Sequence, residues 1–185
     1  MKLKWSIKVN QVITHRFKLH EKALDIFRKF RRLFEPMEKK GLIEFYLFQM
    51  PPSFRPTSRN IMKIKSFAEQ VELGEKLAIE FRHIDWFNEK WVKWISKLGL
   101  TFVSVDAPGL ESKIFKSSSR IYLRLHGRTE WYSHLYTKEE LDELLDKILG
   151  TIDEGEVYVF LNNNHGMLPT GKLLIDLIKE RNINS

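Results

Sequence analysis

The 185-residue chain contains no cysteine. That absence excludes disulfides, thiolate nucleophiles and cysteine-held metals; any metal would need His, Asp, Glu or Asn ligands. It also fits a reducing compartment, and a cytoplasmic location is expected. No apolar run approaches the ~18 residues that span a bilayer, so no membrane role is expected. The opening Met1-Lys2-Leu3-Lys4-Trp5 lacks the apolar segment of a secretory signal. Also missing are an RGG tract, zinc-finger spacing, an RNP-like aromatic motif and an HExxH pair. No low-complexity linker interrupts the chain, and residues 1–185 read as a single domain.

What is present is an ordinary globular balance, 43% hydrophobic and 30% charged, with a basic surplus. The formal net charge is +7. Much of it lies in Arg28, Lys29, Arg31, Arg32, Lys39 and Lys40, with Lys2, Lys4 and Lys8 nearby. Long-range attraction then favours anionic partners, a small anion or nucleic acid. The alternative is a solvated helix face.

Strand-like and helix-like patterns alternate along the chain. Strands are expected at Ser6–Val12, Phe45–Gln49, Leu77–Arg82, Thr101–Asp106, Ile121–His126 and Val157–Asn162. A long amphipathic helix is expected over His20–Lys40, with Ala23, Phe27, Phe30, Phe34 and Met37 on one stripe. Further helices are expected within Ser58–Glu72, over Glu89–Leu98 behind an Asn88 cap, and after Thr137, whose Glu140 completes a capping box. Leu173, Leu174, Leu177 and Ile178 mark the last helix. Strands separated by helices imply parallel pairing through right-handed crossovers.

Side-chain parity sharpens this. Ile79, Phe81, Val103, Val105, Leu123, Leu125, Val159 and Leu161 form one apolar face, suited to covering helices. The other face carries Lys8, Asn10, Glu80, Arg82, Ser104, Asp106, Arg124, His126 and Asn162, with Phe102, Tyr122, Tyr158 and Phe160 deeper. A doubly wound sheet would be apolar on both faces. An interior that is apolar below and polar at its mouth predicts a parallel (β/α) barrel of TIM type with about six units.

The polar face supplies the candidate site. Glu80 and Arg82, two apart on one strand, suit a base beside an anion anchor, or an internal ion pair. Asp106 is a second acid/base candidate, or a cap for the following loop. His126 lies between Arg124 and Arg128, an arrangement that suits proton transfer on an anionic substrate. Arg124 has an alternative role in a barrel-filling network with Glu80 or Asp106. Asn162 and His165, around an Asn-rich turn, are expected to orient the substrate, although Asn also serves left-handed turns on its own. Trp131, Tyr132 and Tyr136 suit stacking on a sugar or base, or simple core closure. Trp91 and Trp94 read as packing, and His15, His20 and His134 have no constellation around them in sequence. Glu80, Asp106, His126 and His165 are sensible donors for manganese or zinc, but no compact motif supports a metal, and none is expected. No cofactor is indicated.

Several segments resemble one family. They are Leu47-Phe48-Gln49-Met50-Pro51-Pro52-Ser53-Phe54-Arg55, Ile79-Glu80-Phe81-Arg82-His83, Ser104-Val105-Asp106-Ala107-Pro108, Tyr122-Leu123-Arg124-Leu125-His126-Gly127-Arg128 and Phe160-Leu161-Asn162-Asn163-Asn164-His165-Gly166. In this order they resemble the YecE-like family, domain of unknown function 72. The resemblance implies a fold similar to the eight-stranded α/β barrel and leaves the activity open. Family members begin with two further strand–helix units, so a cut chain, a late start or an edge covered by a second subunit is expected. Three roles follow as expectations: a barrel enzyme acting on a small polar or anionic substrate, a nucleic-acid-binding or repair-related protein using the basic helix, and an inactive remnant acting as an assembly partner.

Overall fold

Alternation of short β-branched and aromatic runs with amphipathic helices produces six parallel strands in the order β1-β2-β3-β4-β5-β6. The computed structural model describes residues 3–110 and 112–183. The strands are β1 (Trp5–Lys8), β2 (Ile43–Gln49), β3 (Leu77–Glu80), β4 (Thr101–Asp106), β5 (Arg120–Leu125) and β6 (Glu156–Leu161). The helices are α1 (Lys22–Arg32), α2 (Glu35–Lys39), α3 (Ser58–Val71), α4 (Glu89–Lys97), α5 (Lys138–Leu149) and α6 (Met167–Glu180). This is the fold class of an incomplete parallel β/α barrel. None of the described helices is long and apolar enough to cross a membrane.

The chain packs as two compact units, Met1–Val103 and Ser104–Ser185, with the boundary inside β4 rather than in a linker. In the first, β1, β2 and β3 pair in parallel, and β3 continues to β4 through Ala78 opposite Thr101 and Ile79 opposite Phe102. Its core is aromatic. Phe27 of α1 lies 5.7 Å from Tyr46 and 5.2 Å from Phe48, and Phe48 lies 5.5 Å from Phe67 of α3. Trp86 stacks on Phe81 at 4.0 Å, and its indole N–H donates to the Phe54 carbonyl at 2.6 Å. That bond satisfies the one polar atom of a fully buried ring.

Two sequence expectations change here. The helix expected over His20–Lys40 breaks at Leu33 and Phe34, and α2 restarts with Pro36 in its first turn. Proline has no N–H to donate to Arg32, and its ring would clash with that carbonyl, so one continuous helix is excluded. The first strand stops at Lys8 instead of running to Val12. Beyond it Val12–Arg16 forms a π-helical turn, closed by Phe17 N–H donating to the Val12 carbonyl at 3.0 Å.

In the second unit β5 and β6 pair along their length, from Arg120 opposite Glu156 to Leu125 opposite Leu161. Leu123 and Leu125 of β5 pack with Leu141, Leu144, Leu145 and Ile148 of α5 and with Leu174 and Leu177 of α6. The apolar parity therefore meets helices, as the alternation requires. Thr137 caps α5 as expected: its side chain accepts from Glu140 N–H at 3.3 Å, while Glu140 accepts from Thr137 N–H at 2.9 Å. Thr137→Ala is expected to remove about 1 kcal/mol in urea denaturation, and Thr137→Ser almost nothing. An equal loss for both variants would refute the cap's part.

Candidate functional site

In the first unit the site begins with chain direction. Glu80 is the last residue of β3, and its carbonyl accepts from Met50 N–H at 2.8 Å. Alternation returns Arg82 to the same side, where its Nε lies 2.5 Å from Glu80 Oε1. The Glu80 side chain is 0% exposed and that of Arg82 6%. Taking both charges out of water costs several kcal/mol per ion unless the pair is well formed, so this arrangement needs a reason.

Beside it lies a second group that sequence reading missed. His15, in the π-helical turn, places Nδ1 2.9 Å from Thr14 Oγ1. Burial and then the cations Lys8, Lys18 and Arg82 push its imidazole below the ordinary value. Lys18 donates to Ser53 Oγ at 3.0 Å. His15 looks isolated in sequence because these neighbours come from three separate chain segments.

In the second unit Asp106 is a hub. It closes β4, is 1% exposed, and its carbonyl accepts from His126 N–H at 2.9 Å. Arg128 Nε donates to its Oδ2 at 3.3 Å, the Ser112 hydroxyl donates to Oδ1, and the Tyr136 hydroxyl donates to the same carboxylate. Tyr136 in turn accepts from Gly127 N–H at 3.0 Å. Burial, then the charge and hydrogen bond of Asp106, push the phenol far above its usual range. Arg128 also donates to Glu143 at 2.6 Å. Tyr136 thus closes core and network together, a role that its sequence neighbours do not reveal.

His126 is fully buried just beyond β5. Asn162, just past β6, brings its amide nitrogen to 2.9 Å from His126 Nδ1. With the amide nitrogen as donor, Nδ1 is the acceptor and the imidazole N–H lies on Nε2. The predicted shared parity does bring these two residues together. Trp131 and Tyr132 lie 5.5 Å from the ring, Tyr132 edge-on. Gly127 has φ +114, and a Cβ there would stand 2.4 Å from the Glu130 carbonyl oxygen. Only glycine fits between His126 and Arg128.

The remaining predicted residues lie elsewhere in the second unit. Arg124 is buried on β5, opposite Phe160 in register. His165 is exposed in the short turn before α6. Asn164 has φ +48, the left-handed use of Asn that accounts for part of the Asn run. His134, apparently isolated in sequence, joins Glu140 at 2.8 Å and Thr129 at 3.0 Å. Among the described residues no three His, Asp or Glu side chains gather as metal ligands. Of the basic helix face, Arg28 meets Asp25 at 3.3 Å, Arg31 meets Glu38 at 2.9 Å and Lys39 meets Glu35 at 2.8 Å. These local pairs offset part of the charge on which a nucleic-acid reading depends.

Comparison with known proteins places this geometry among relatives. The family model described as "Protein of unknown function DUF72" matches residues 1–173. A crystal structure of a DUF72 family protein from Thermotoga maritima is 26% identical, with a TM-score of 0.83 over 96% of this chain and 74% of that one. A DUF72 family protein from Enterococcus faecalis, 18% identical, gives a TM-score of 0.84 over 98% of this chain and 75% of the other. No curated protein matches the chain. The chain belongs to the DUF72 family.

Proposed function

We propose that this protein binds a small polar or anionic ligand at the carboxyl ends of its strands and transforms it by acid/base chemistry. The observation that carries the reading is the Glu80–Arg82 ion pair, at least 94% buried on both sides and set where β3 ends. In β/α barrels the strand carboxyl ends are where chemistry is placed. A carboxylate held in low dielectric next to a guanidinium is a base whose proton affinity responds strongly to a second anion arriving at that guanidinium.

Glu80 is the base and Arg82 the anion anchor. In the second unit, taken by itself, His126 is the proton-transfer group, with the Asn162 amide against its Nδ1. Asp106 holds Arg128 and Tyr136 in place, because donors occupy its oxygens. Arg124 and Arg128 are the anion anchors of this second unit, and His165 is its ligand-orienting group on an exposed turn.

The test is a thermal-shift screen of phosphorylated and carboxylated small molecules against the wild type, Glu80→Gln and His126→Gln. At least one class is expected to stabilise the wild type. Glu80→Gln should lower the Tm, because the buried Arg82 guanidinium loses its countercharge, but should stay folded at about 25 °C, because glutamine keeps an acceptor facing it. Turnover of the stabilising compound should fall by about 100-fold or more in each variant. If no compound stabilises the wild type and Glu80→Gln unfolds readily, the pair is a structural brace and the proposal fails.

A further inference from the structure

Two aromatic side chains in the loop after β5 stay at the surface of the second unit. Trp131 and Tyr132 are half-buried, 5.7 Å apart, and each lies 5.5 Å from the imidazole of His126. Tyr136, further along the loop, is 2% exposed and packs with Leu141 and Leu144 in the core. Among the described residues, that core cluster contains neither Trp131 nor Tyr132. Core closure therefore falls to Tyr136.

The backbone holds this pair in a strained turn. Tyr132 takes φ +68, a left-handed conformation that is rare for a bulky side chain. Asn or Gly would sit there with less strain, so an aromatic ring at this position needs a use beyond the turn. Tyr132 N–H donates to the His126 carbonyl at 2.7 Å, which fixes the turn. The rest of the loop is braced through His134. Its Nδ1 lies 3.0 Å from the Thr129 hydroxyl and its Nε2 2.8 Å from Glu140. Its carbonyl accepts from Nδ2 of the fully buried Asn163 at 2.9 Å. A preorganised loop thus presents the two rings.

We propose that Trp131, Tyr132 and Asn162 form a platform for a sugar ring, which makes the anionic ligand a sugar phosphate or sugar acid. The inference rests on the proposed function and names the class of its ligand. One face of a sugar ring presents C–H groups with slight positive charge, which suit the negative face of an aromatic ring. Its hydroxyls supply donors at the rim. Asn162 lies against the same imidazole, with its amide nitrogen 2.9 Å from His126 Nδ1, and keeps Oδ1 as an acceptor. A nucleobase would stack as well, but an amide reads a base with nitrogen and oxygen together, and here His126 already holds the nitrogen.

Two substitutions separate this role from packing. Trp131→Ala removes the stacking face from a half-buried position and should leave the protein folded. Tyr132→Gly removes a ring and the left-handed penalty together, so its Tm should equal or exceed that of the wild type. A ring that served packing alone would give a lower Tm and unchanged ligand affinity.

Isothermal titration calorimetry on the full-length protein compares glucose 6-phosphate, ribose 5-phosphate and glucuronate with inorganic phosphate and acetate, their ringless counterparts. At least one sugar is expected to bind about tenfold tighter than its counterpart, a factor within reach of one stacked ring and one hydrogen bond. Trp131→Ala and Tyr132→Gly should each weaken that sugar about tenfold and leave the ringless anion unchanged. Adenosine 5′-monophosphate binding about tenfold tighter than ribose 5-phosphate would assign the platform to a base and overturn the inference. Ringless anions that bind as tightly as the sugars, in the wild type and both variants alike, also overturn it, while the proposed anion site stands. If none of these molecules binds, the inference falls together with anion anchoring in the second unit.

Discussion

Replacing Asp106 with alanine is expected to lower the unfolding free energy by about 3–5 kcal/mol, among the largest effects of any substitution here. The carboxylate is 1% exposed and takes hydrogen bonds from Arg128, Ser112 and Tyr136. Removing it strands the Tyr136 hydroxyl proton in the core and leaves Arg128 with Glu143 alone on its anionic side. Each orphaned buried donor adds about 1–3 kcal/mol, and a cavity remains. Asp106→Asn should lose less, because it keeps the volume and one acceptor while turning an amide N–H₂ toward a donor. Tyr136→Phe should lose about 1–2 kcal/mol, since it also unseats Gly127 N–H. Urea denaturation monitored by far-UV circular dichroism measures all three. A loss below about 1 kcal/mol for Asp106→Ala would show that the hub is dispensable and would return Asp106 to the list of proton-transfer groups.

A comparable loss is expected for Arg82→Ala, by about 3–5 kcal/mol, for a different reason. The Glu80 side chain is 0% exposed and Arg82 lies 2.5 Å from it. Without the guanidinium the carboxylate sits in low dielectric with its countercharge gone. The double variant Glu80→Gln, Arg82→Ala should recover much of that loss, because an amide is far cheaper to bury than a charge. A double-mutant cycle in guanidinium chloride isolates the coupling. Additive single and double losses would mean that the two side chains do not interact, and the proposed base and anchor would lose their link.

Much of the fold was legible because it depends on local chemistry. The alternation of strand and helix patterns gave six parallel strands, and the Thr137–Glu140 spacing gave the start of α5. Face assignment followed from parity: Leu123 and Leu125 went under helices, while His126 and Asn162 met on the other side. The errors have equally physical causes. A hydrophobic stripe does not register that Pro36 cannot donate, so the long first helix was drawn through a break. The π-helical turn has no composition signature, and the strand before it was drawn too long. Tyr136 was read for stacking or core closure without its network, and His15 was passed over, because Asp106 for one and Arg82 for the other lie 30 and 67 positions away. Such partners become visible only once the chain has folded.

The wide turn at Val12–Arg16 also sets azimuth. Its Val12-to-Phe17 bond spans one residue more than an α-helical turn does. Shortening the segment by one position would restore ordinary helical spacing and swing every following side chain by about 100° around the axis. His15 would leave its bearing on Lys8 and Arg82, while the residue count from strand to helix changed by only one. The orientation of that imidazole is thus encoded in segment length, and an insertion or deletion there would act as strongly as replacing the histidine itself.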